Sequence, residues 1–349
     1  MTAKVRIGDR WVGDGEPCLI IAEAGSNHNR SLEQAKRLID VAASASVDCV
    51  KFQVFRASRL YPRNAGLSDY LKSPKSIYDI IAEMELPYEW IPELAAYCRT
   101  KGVLFMASVF DEASADELDP YVQAHKIASY EMTHTPLVRH VAKKGKPIII
   151  STGTATLDEV VEVVETVRAA GNDQVVLMQC TAAYPAPVES LNLRAIQTLK
   201  AAFRVPAGLS DHSRDPFVGP LGAVAVGANA LEKHYTLSNE LPGPDHRFAV
   251  EPKELAQLVE RVRRLEQALG SGQKIMHPVE AELRAFARRS IFAIHSIKRG
   301  ETITPDNVSV LRKGKNPEGL PPRLWEQVLG KRAARDIQPE EPLQMTDLA

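Results

Sequence analysis

The chain carries almost no net charge: 43 Lys and Arg against 44 Asp and Glu over 349 residues leave a formal −1 at pH 7. No overall field draws it to nucleic acid or to an anionic membrane, so any anionic ligand must be held by local groups. It also lacks an apolar run near the roughly 20 residues of a membrane helix, and MTAKVRIGDR has no signal-peptide hydrophobic segment. These absences predict a soluble, cytoplasmic protein with neither nucleic-acid nor membrane partners. Cysteine is scarce. Cys18, Cys49, Cys98 and Cys180 form no CxxC pair and no disulfide-scaffold spacing, so they read as small core residues in a reducing compartment. Cys180 lies beside Thr181 near a strand end, but with no base adjacent in sequence it is a poor candidate nucleophile. Low-complexity tracts are absent too.

What remains is an ordinary globular mixture, 44% hydrophobic and 25% charged, in a chain longer than one typical domain. From Pro17 onward, short apolar runs alternate with segments of helical periodicity. The runs are 18–25, 49–55, 103–110, 124–129, 147–152, 175–185, 205–212 and 229–237. Between them SLEQAKRLIDVAASAS, TLDEVVEVVETVRAAG and 216–228 carry apolar residues at i, i+3, i+4, with Gly102 and Gly171 placed as helix stops. Strand then helix, repeated eight times over about 250 residues, is the arithmetic of an α/β fold of the (β/α)8, or TIM, barrel type. The competing open doubly wound sheet wants a GxGxxG at its first turn, where this chain has EAGSNHNRS. EPKELAQLVERVRRLEQALGSG supplies a last barrel helix, so the barrel domain is placed at 1–272 and a polar linker at 273–289. Residues 290–349 have short apolar pairs, several prolines and turn glycines, which predicts a compact β-rich domain of about 60 residues.

In such a barrel the active site is built from the carboxyl ends of the strands. Read in order, those ends offer Glu23 with Asn27 and His28, Lys51 with Gln53, Ser108, Lys126 with Ser129 and Glu131, Ser151 with Thr152, Gln179 with Thr181 and Tyr184, Ser210 with Asp211 and His212, and Glu232 with His234. A scaffold needs none of them buried, because an unpaired charge there costs on the order of several kcal/mol. Alternation puts Lys51 and Gln53 on one face, and Glu232 and His234 on one face. Strands seven and eight are neighbours, so His212 and His234 can reach one metal ion; imidazole with carboxylate and water suits Mn²⁺, Fe²⁺, Co²⁺ or Zn²⁺ alike. Lys51 and Lys126, with Ser108, Ser129, Ser151 and Ser210, make a donor cradle for phosphate and carboxylate oxygens. A single strand-end lysine could instead be a Schiff-base nucleophile.

At these residues the sequence resembles the sialic acid synthase family, which includes N-acetylneuraminate synthases and their legionaminate, pseudaminate and spore-coat relatives. IAEAGSNHN, VKFQ, KIASYE, PIIISTG, CTAAYPAP, GLSDHS, LEKHY and LPGPDH carry the likeness over nearly the whole chain. From Ser290, with IKRGETITPDNV, it is similar to that family's SAF domain, an antifreeze-like fold; the likeness implies fold and not ice binding. The resemblance implies condensation of phosphoenolpyruvate with an N-acylated hexosamine aldehyde, giving a nonulosonic acid and phosphate. It further implies that His212 and His234 hold a divalent ion, usually Mn²⁺, with Mg²⁺ and Co²⁺ as alternatives. Lys51, Ser108, Lys126, Ser129, Ser151 and Ser210 match the phosphoenolpyruvate positions, and Glu23 matches the catalytic carboxylate. Gln53, Tyr184, Glu232 and Asp245 match the sugar side. Arg312, in NVSVLRKGKNP, matches an arginine that reaches the partner's barrel mouth in a homodimer. Lys72 stands where users of N-acetylmannosamine carry asparagine, while LPGPDH points to the neuraminate or legionaminate side. Two other readings stay open: a pyruvate aldolase using Lys126 or Lys51, and a sugar-binding relative without catalysis.

Overall fold

The computed structural model describes residues 3–67 and 74–349. They fall into two compact units, Met1–Gly270 and Ser271–Ala349. The first unit opens with a hairpin, β1 (Val5–Ile7) and β2 (Arg10–Val12). The barrel strands follow: β3 (Leu19–Gly25), β4 (Cys49–Val54), β5 (Leu104–Val109), β6 (His125–Ile127), β7 (Ile148–Ser151), β8 (Val175–Cys180), β9 (Ala207–Asp211) and β10 (Ala230–His234). All are parallel and close in the order β10-β3-β4-β5-β6-β7-β8-β9. Every apolar run read as a strand is one. The long run 175–185 stops at Cys180, ahead of Pro185 and Pro187, which cannot donate to a ladder.

Helices separate the strands. α1 (Leu32–Ser44) follows β3, and α2 (Ala57–Leu60), α3 (Ile77–Met84) and α4 (Ile91–Thr100) follow β4. Then come α5 (Glu112–Leu118), α6 (Thr135–Ala142), α7 (Leu157–Ala169), α8 (Ala195–Phe203), α9 (Val218–Ala225) and α10 (Pro252–Leu269). Ser31 caps α1 by accepting from the Gln34 N–H, and Thr156 with Glu159 forms a capping box on α7. None of the described helices is long and apolar enough to cross a membrane.

The strands are apolar on both faces because helices cover the outside and side chains fill the inside. Ile20, Ala22, Val50 and Leu209 join the cluster packed on the helices. Leu19, Ile21, Cys49, Met106, Ile149, Val176, Met178 and Ala230 pack inside with Val5, Ile7 and Val12, so the hairpin plugs the amino end. That plug lies before the region the sequence reading treats as strands.

The inner layer fixes what stands above it. Two residues beyond an inward apolar or small residue comes another inward side chain: Ile21 leads to Glu23, Cys49 to Lys51, Met106 to Ser108, Ala124 to Lys126, Ile149 to Ser151, Gly208 to Ser210 and Ala230 to Glu232. Gly208 has no alternative here, since a Cβ on it would lie 2.0 Å from the Ala230 carbonyl oxygen.

In the second unit β11 (Arg289–Ala293) pairs antiparallel with β12 (Val308–Arg312). Ile291, Ala293, Ile297, Ile303, Val308, Leu320, Ala333, Ile337 and Leu343 form its core. Residues that read as a polar connector instead contain α11 (Ala281–Ala287), and α12 (Trp325–Val328) is a single turn.

Candidate active site

The carboxyl ends of the barrel strands open into a polar pocket. Glu23, Lys51, Gln53, Ser108, Lys126, Ser129, Ser151, Tyr184, Ser210, His212, Glu232 and His234 line it, joined by Ala128 and Tyr130. Asp245 approaches from the loop after β10. A bulge in β3 at Glu23–Gly25 puts Gly25 at φ +52°, and a Cβ there would meet Asp245 Oδ2 at 3.3 Å and Gln53 Nε2 and Glu23 Oε1 at 3.5 Å each. The glycine thus leaves three polar groups facing one small space. Arg312 belongs to the second unit, exposed at the last position of β12 opposite Arg289. Lys72 lies outside the described residues.

Two lysines organise the floor. Lys51 Nζ stands 2.8 Å from Glu23 Oε2 and 3.6 Å from Glu232 Oε1, and it donates to Ser108 Oγ at 2.9 Å. Lys126 Nζ donates to Ser151 Oγ at 2.7 Å and is 3.9 Å from Glu232 Oε2. Ser210 Oγ donates to Glu232 Oε1 at 3.1 Å. Glu232, assigned to the sugar side by resemblance, therefore lies against Ser210 and between both ammonium groups.

Burial and charge pull these groups in opposite directions. Burial disfavours the charge on Lys51, yet Glu23 and Glu232 outweigh it and hold its pKa above the ordinary lysine value. For Lys126 burial wins over Glu232, and its pKa is drawn down. Glu232 resists burial through Lys126, Lys51 and His212, and stays below the usual carboxylate range. Glu23 is pushed up to about 7 by burial, with Lys51 pulling back and Glu232 adding to the push. Gln53 Nε2 donates to its Oε1 at 2.9 Å. One carboxylate is therefore held ionised beside another poised to exchange a proton near neutrality. Asp245 is likewise pushed by burial to about 6.

His212 and His234 face each other with ring centroids 5.3 Å apart, and the Tyr184 ring packs 4.3 Å from His212. His212 Nδ1 is 3.0 Å from the Thr181 carbonyl; donating there, it leaves the Nε2 lone pair for a ligand. His234 is buried with Nδ1 unpartnered, and burial followed by the His212 charge holds its pKa well below the ordinary value. Burial disfavours the charge on His212, but Cys180 outweighs it and raises the His212 pKa; two imidazoles at this separation, one with an orphaned nitrogen, fit a shared divalent cation that would take the place of the His212 proton. Among the described residues no three His, Cys, Asp or Glu side chains converge as a metal cluster, so remaining positions would fall to water or substrate oxygens.

Sequence reasoning missed two features. Tyr130 enters the wall from the turn after β6 and hydrogen-bonds Tyr184, a contact that no strand alternation reveals. Cys180, with no base nearby in sequence, has His212 Nδ1 3.6 Å from its Sγ and Ser129 Oγ at 3.5 Å. Burial would raise that thiol, but His212 leads the contacts that bring it below its ordinary value.

The NeuB family's sequence profile matches residues 38–274, more than half of the chain. The chain belongs to the NeuB family. Residues 288–349 match the SAF domain, so this NeuB chain carries that module after its barrel. It is 44% identical over 352 residues to the spore coat polysaccharide biosynthesis protein SpsE of Bacillus subtilis, covering 96% of this chain and 94% of that protein. The N,N'-diacetyllegionaminic acid synthase of Legionella pneumophila is 38% identical, with 93% of each chain covered. A solved N-acetylneuraminic acid synthetase from Leptospira borgpetersenii, in complex with citrate, superposes with a TM-score of 0.74 at 33% identity, covering 81% of this chain and 96% of that one. A NeuB chain matched at this coverage is an enzyme of the carbon–carbon bond-forming synthase type.

Proposed function

We propose that this NeuB-family enzyme condenses phosphoenolpyruvate with an N-acylated hexosamine aldehyde and water, giving a nonulosonic acid and inorganic phosphate. The observation that carries the reading is the convergence in one pocket of an ammonium and hydroxyl cradle, a carboxyl group near neutral pKa, and two facing histidines. Lys51 and Lys126, with Ser108, Ser129, Ser151 and Ser210, supply donors for the phosphate and carboxylate of the enol substrate. Gln53, Tyr184 and Asp245 take the acceptor side, and Glu232 bridges between the two halves through Ser210 and the lysines. His212 and His234 would hold a divalent ion, Mn²⁺ by family resemblance with Mg²⁺ or Co²⁺ as alternatives, and a bound ion supplies Lewis-acid polarisation of an aldehyde oxygen.

C3 of the enol forms the new bond to the aldehyde carbon, whose oxygen takes the carbonyl electron pair and a proton to become a hydroxyl, leaving positive charge at C2. Glu232 and an ionised Glu23 stabilise that charge electrostatically. Water then adds at C2 and Glu23 accepts one of its protons, replacing the one taken up by the aldehyde oxygen; the bond from C2 to the phosphate oxygen then breaks as the remaining C2 hydroxyl becomes the ketone and gives its proton to the departing phosphate. Arg312 joins the sugar-binding set by resemblance alone. A homodimer is favoured by the exposed Ile275, Met276, Val279, Leu283 and Phe286 before and within α11, because a cluster of large apolar side chains in water wants a partner surface. A single-chain mass in sedimentation would overturn the dimer. Among the described residues no helix is long and apolar enough to cross a membrane, and a cytoplasmic location is part of the same proposal.

The test incubates metal-replete protein with phosphoenolpyruvate and a panel of N-acylated hexosamines. Phosphate release with at least one sugar supports the reading, and none with any sugar removes it. The depressed pKa of Lys126 favours one competitor, a Schiff-base aldolase. Borohydride trapping with pyruvate separates the two, since only that aldolase leaves a covalent adduct.

A further inference from the structure

We infer that the Lys233–Asp211 ion pair on the outer face of the barrel wall is a positioning pair, which aims His212 and His234 into the pocket. The inference rests on the proposed metal role of those histidines. Lys233 and Asp211 are register partners on β10 and β9, and each is the immediate chain neighbour of one histidine. Alternation turns both outward, away from Ser210, Glu232 and His234. Both are buried, Lys233 at 3% exposure and Asp211 at 1%.

The ammonium reaches up to the turn that carries His212. Lys233 Nζ donates to Asp211 Oδ2 at 2.7 Å, to the Ser213 carbonyl at 2.5 Å and to the Asp215 carbonyl at 2.9 Å. Asp211 Oδ1 accepts from the Ser213 N–H at 2.8 Å. Ser213 is thus held through both its backbone N–H and its carbonyl, and Asp211 and Ser213 flank His212 on either side. Asp215 continues the hold by accepting from Phe217 and Val218 at the start of α9, at 2.8 and 2.7 Å.

Stability alone does not explain the pair. On the same outer face, one step earlier in each strand, Leu209 and Leu231 pack against the helices as apolar residues. A buried ion pair is often no more stabilising than apolar side chains of similar volume. What the lysine adds is a fixed backbone path from 211 to 215, and with it the direction of the His212 ring.

The experiment measures Mn²⁺ binding by titration calorimetry and phosphoenolpyruvate binding in metal-free protein. It compares wild type, Lys233→Arg and the double variant Asp211→Asn/Lys233→Met, which removes both charges while Asn keeps an acceptor for the Ser213 N–H. Fold is checked by cooperative thermal unfolding. The expected result is a folded double variant whose Mn²⁺ affinity falls at least about tenfold, the scale seen when groups supporting metal ligands are lost. Its phosphoenolpyruvate affinity should stay within about twofold of wild type, on the same reasoning that only the metal ligands are disturbed. Wild-type Mn²⁺ affinity in the folded double variant overturns the inference, as does an equal loss for both ligands. If the double variant does not fold, Lys233→Arg decides: it keeps the charge but not the three bonds, and unchanged Mn²⁺ affinity there overturns the inference. A wild-type protein that binds no divalent ion overturns instead the metal reading beneath it.

Discussion

Replacing Glu23 by glutamine isolates the proton-transfer role from the binding role. The side chain is fully buried, its Oε1 accepts from Gln53 at 2.9 Å and its Oε2 stands 2.8 Å from Lys51. Glutamine fills the same volume and can turn its carbonyl oxygen to Lys51 while its amide donates to a flipped Gln53 carbonyl oxygen, so phosphoenolpyruvate affinity should change little. It takes no proton from water, and loss of a general base typically lowers turnover by about 10²–10⁴. The pH profile carries the sharper signature. Burial lifts Glu23 to about 7. The base works ionised, so kcat/KM should climb with pH and level off above about 7; each unit below that costs roughly tenfold, as the ionised fraction falls. The variant's residual activity should lack this acid limb. Phosphate release measured from pH 5.5 to 8.5 on both proteins reads turnover and profile together. A variant of undiminished activity, or one that keeps the same acid limb, refutes the assignment.

Three further outcomes follow from single side chains. Glu131 is buried with Oε2 unpartnered, and burial raises its carboxyl from 4.5 to about 7. Its contribution is therefore fully present below about pH 4.5 and is lost as pH rises through 7, a change of about 3 kcal/mol. Glu131→Gln should be more stable than wild type by about that much in urea unfolding at pH 8, and no more stable at pH 4.5; an equal difference at both pH values contradicts the burial argument. His212→Ala should abolish Mn²⁺ binding in calorimetry while unfolding stays cooperative, since a strand-end ligand adds little to barrel packing; loss of the folded state would make the histidine structural. Gly208→Ala should cost at least about 3 kcal/mol, because the strands must part to admit a Cβ at 2.0 Å from the Ala230 carbonyl oxygen. A near-neutral thermal shift would show that β9 and β10 separate more easily than their packing implies.

The barrel was legible because parallel strands covered on both sides appear as continuous apolar runs, and the helices between them have their own period. Most of the candidate site was legible for a related reason. Once Ile21 or Cys49 is known to face inward, alternation carries Glu23 and Lys51 inward above it. Alternation along one strand does not report distances between strands. The contact of Cys180 with His212 and the seat of Glu232 between two lysines needed the closed barrel. The amino-terminal hairpin had a faint signal, buried Val5 and Ile7 around exposed Arg6 before a Gly-Asp turn, but three-residue strands barely rise above chance. Tyr130 had none, because a turn side chain follows no period. The helix within the connector was hidden by its composition, whose apolar residues remain exposed in the single chain.

In the proposed reaction phosphate leaves from C2 of phosphoenolpyruvate after water adds there. Phosphoenolpyruvate labelled with ¹⁸O in the bridge between C2 and phosphorus, incubated with the enzyme, Mn²⁺ and an accepted N-acyl hexosamine, tests it most directly. The proposed reaction puts ¹⁸O in the released phosphate, gives one phosphate per acceptor consumed, and releases none without acceptor. Unlabelled phosphate, or release that continues without the sugar, would contradict it.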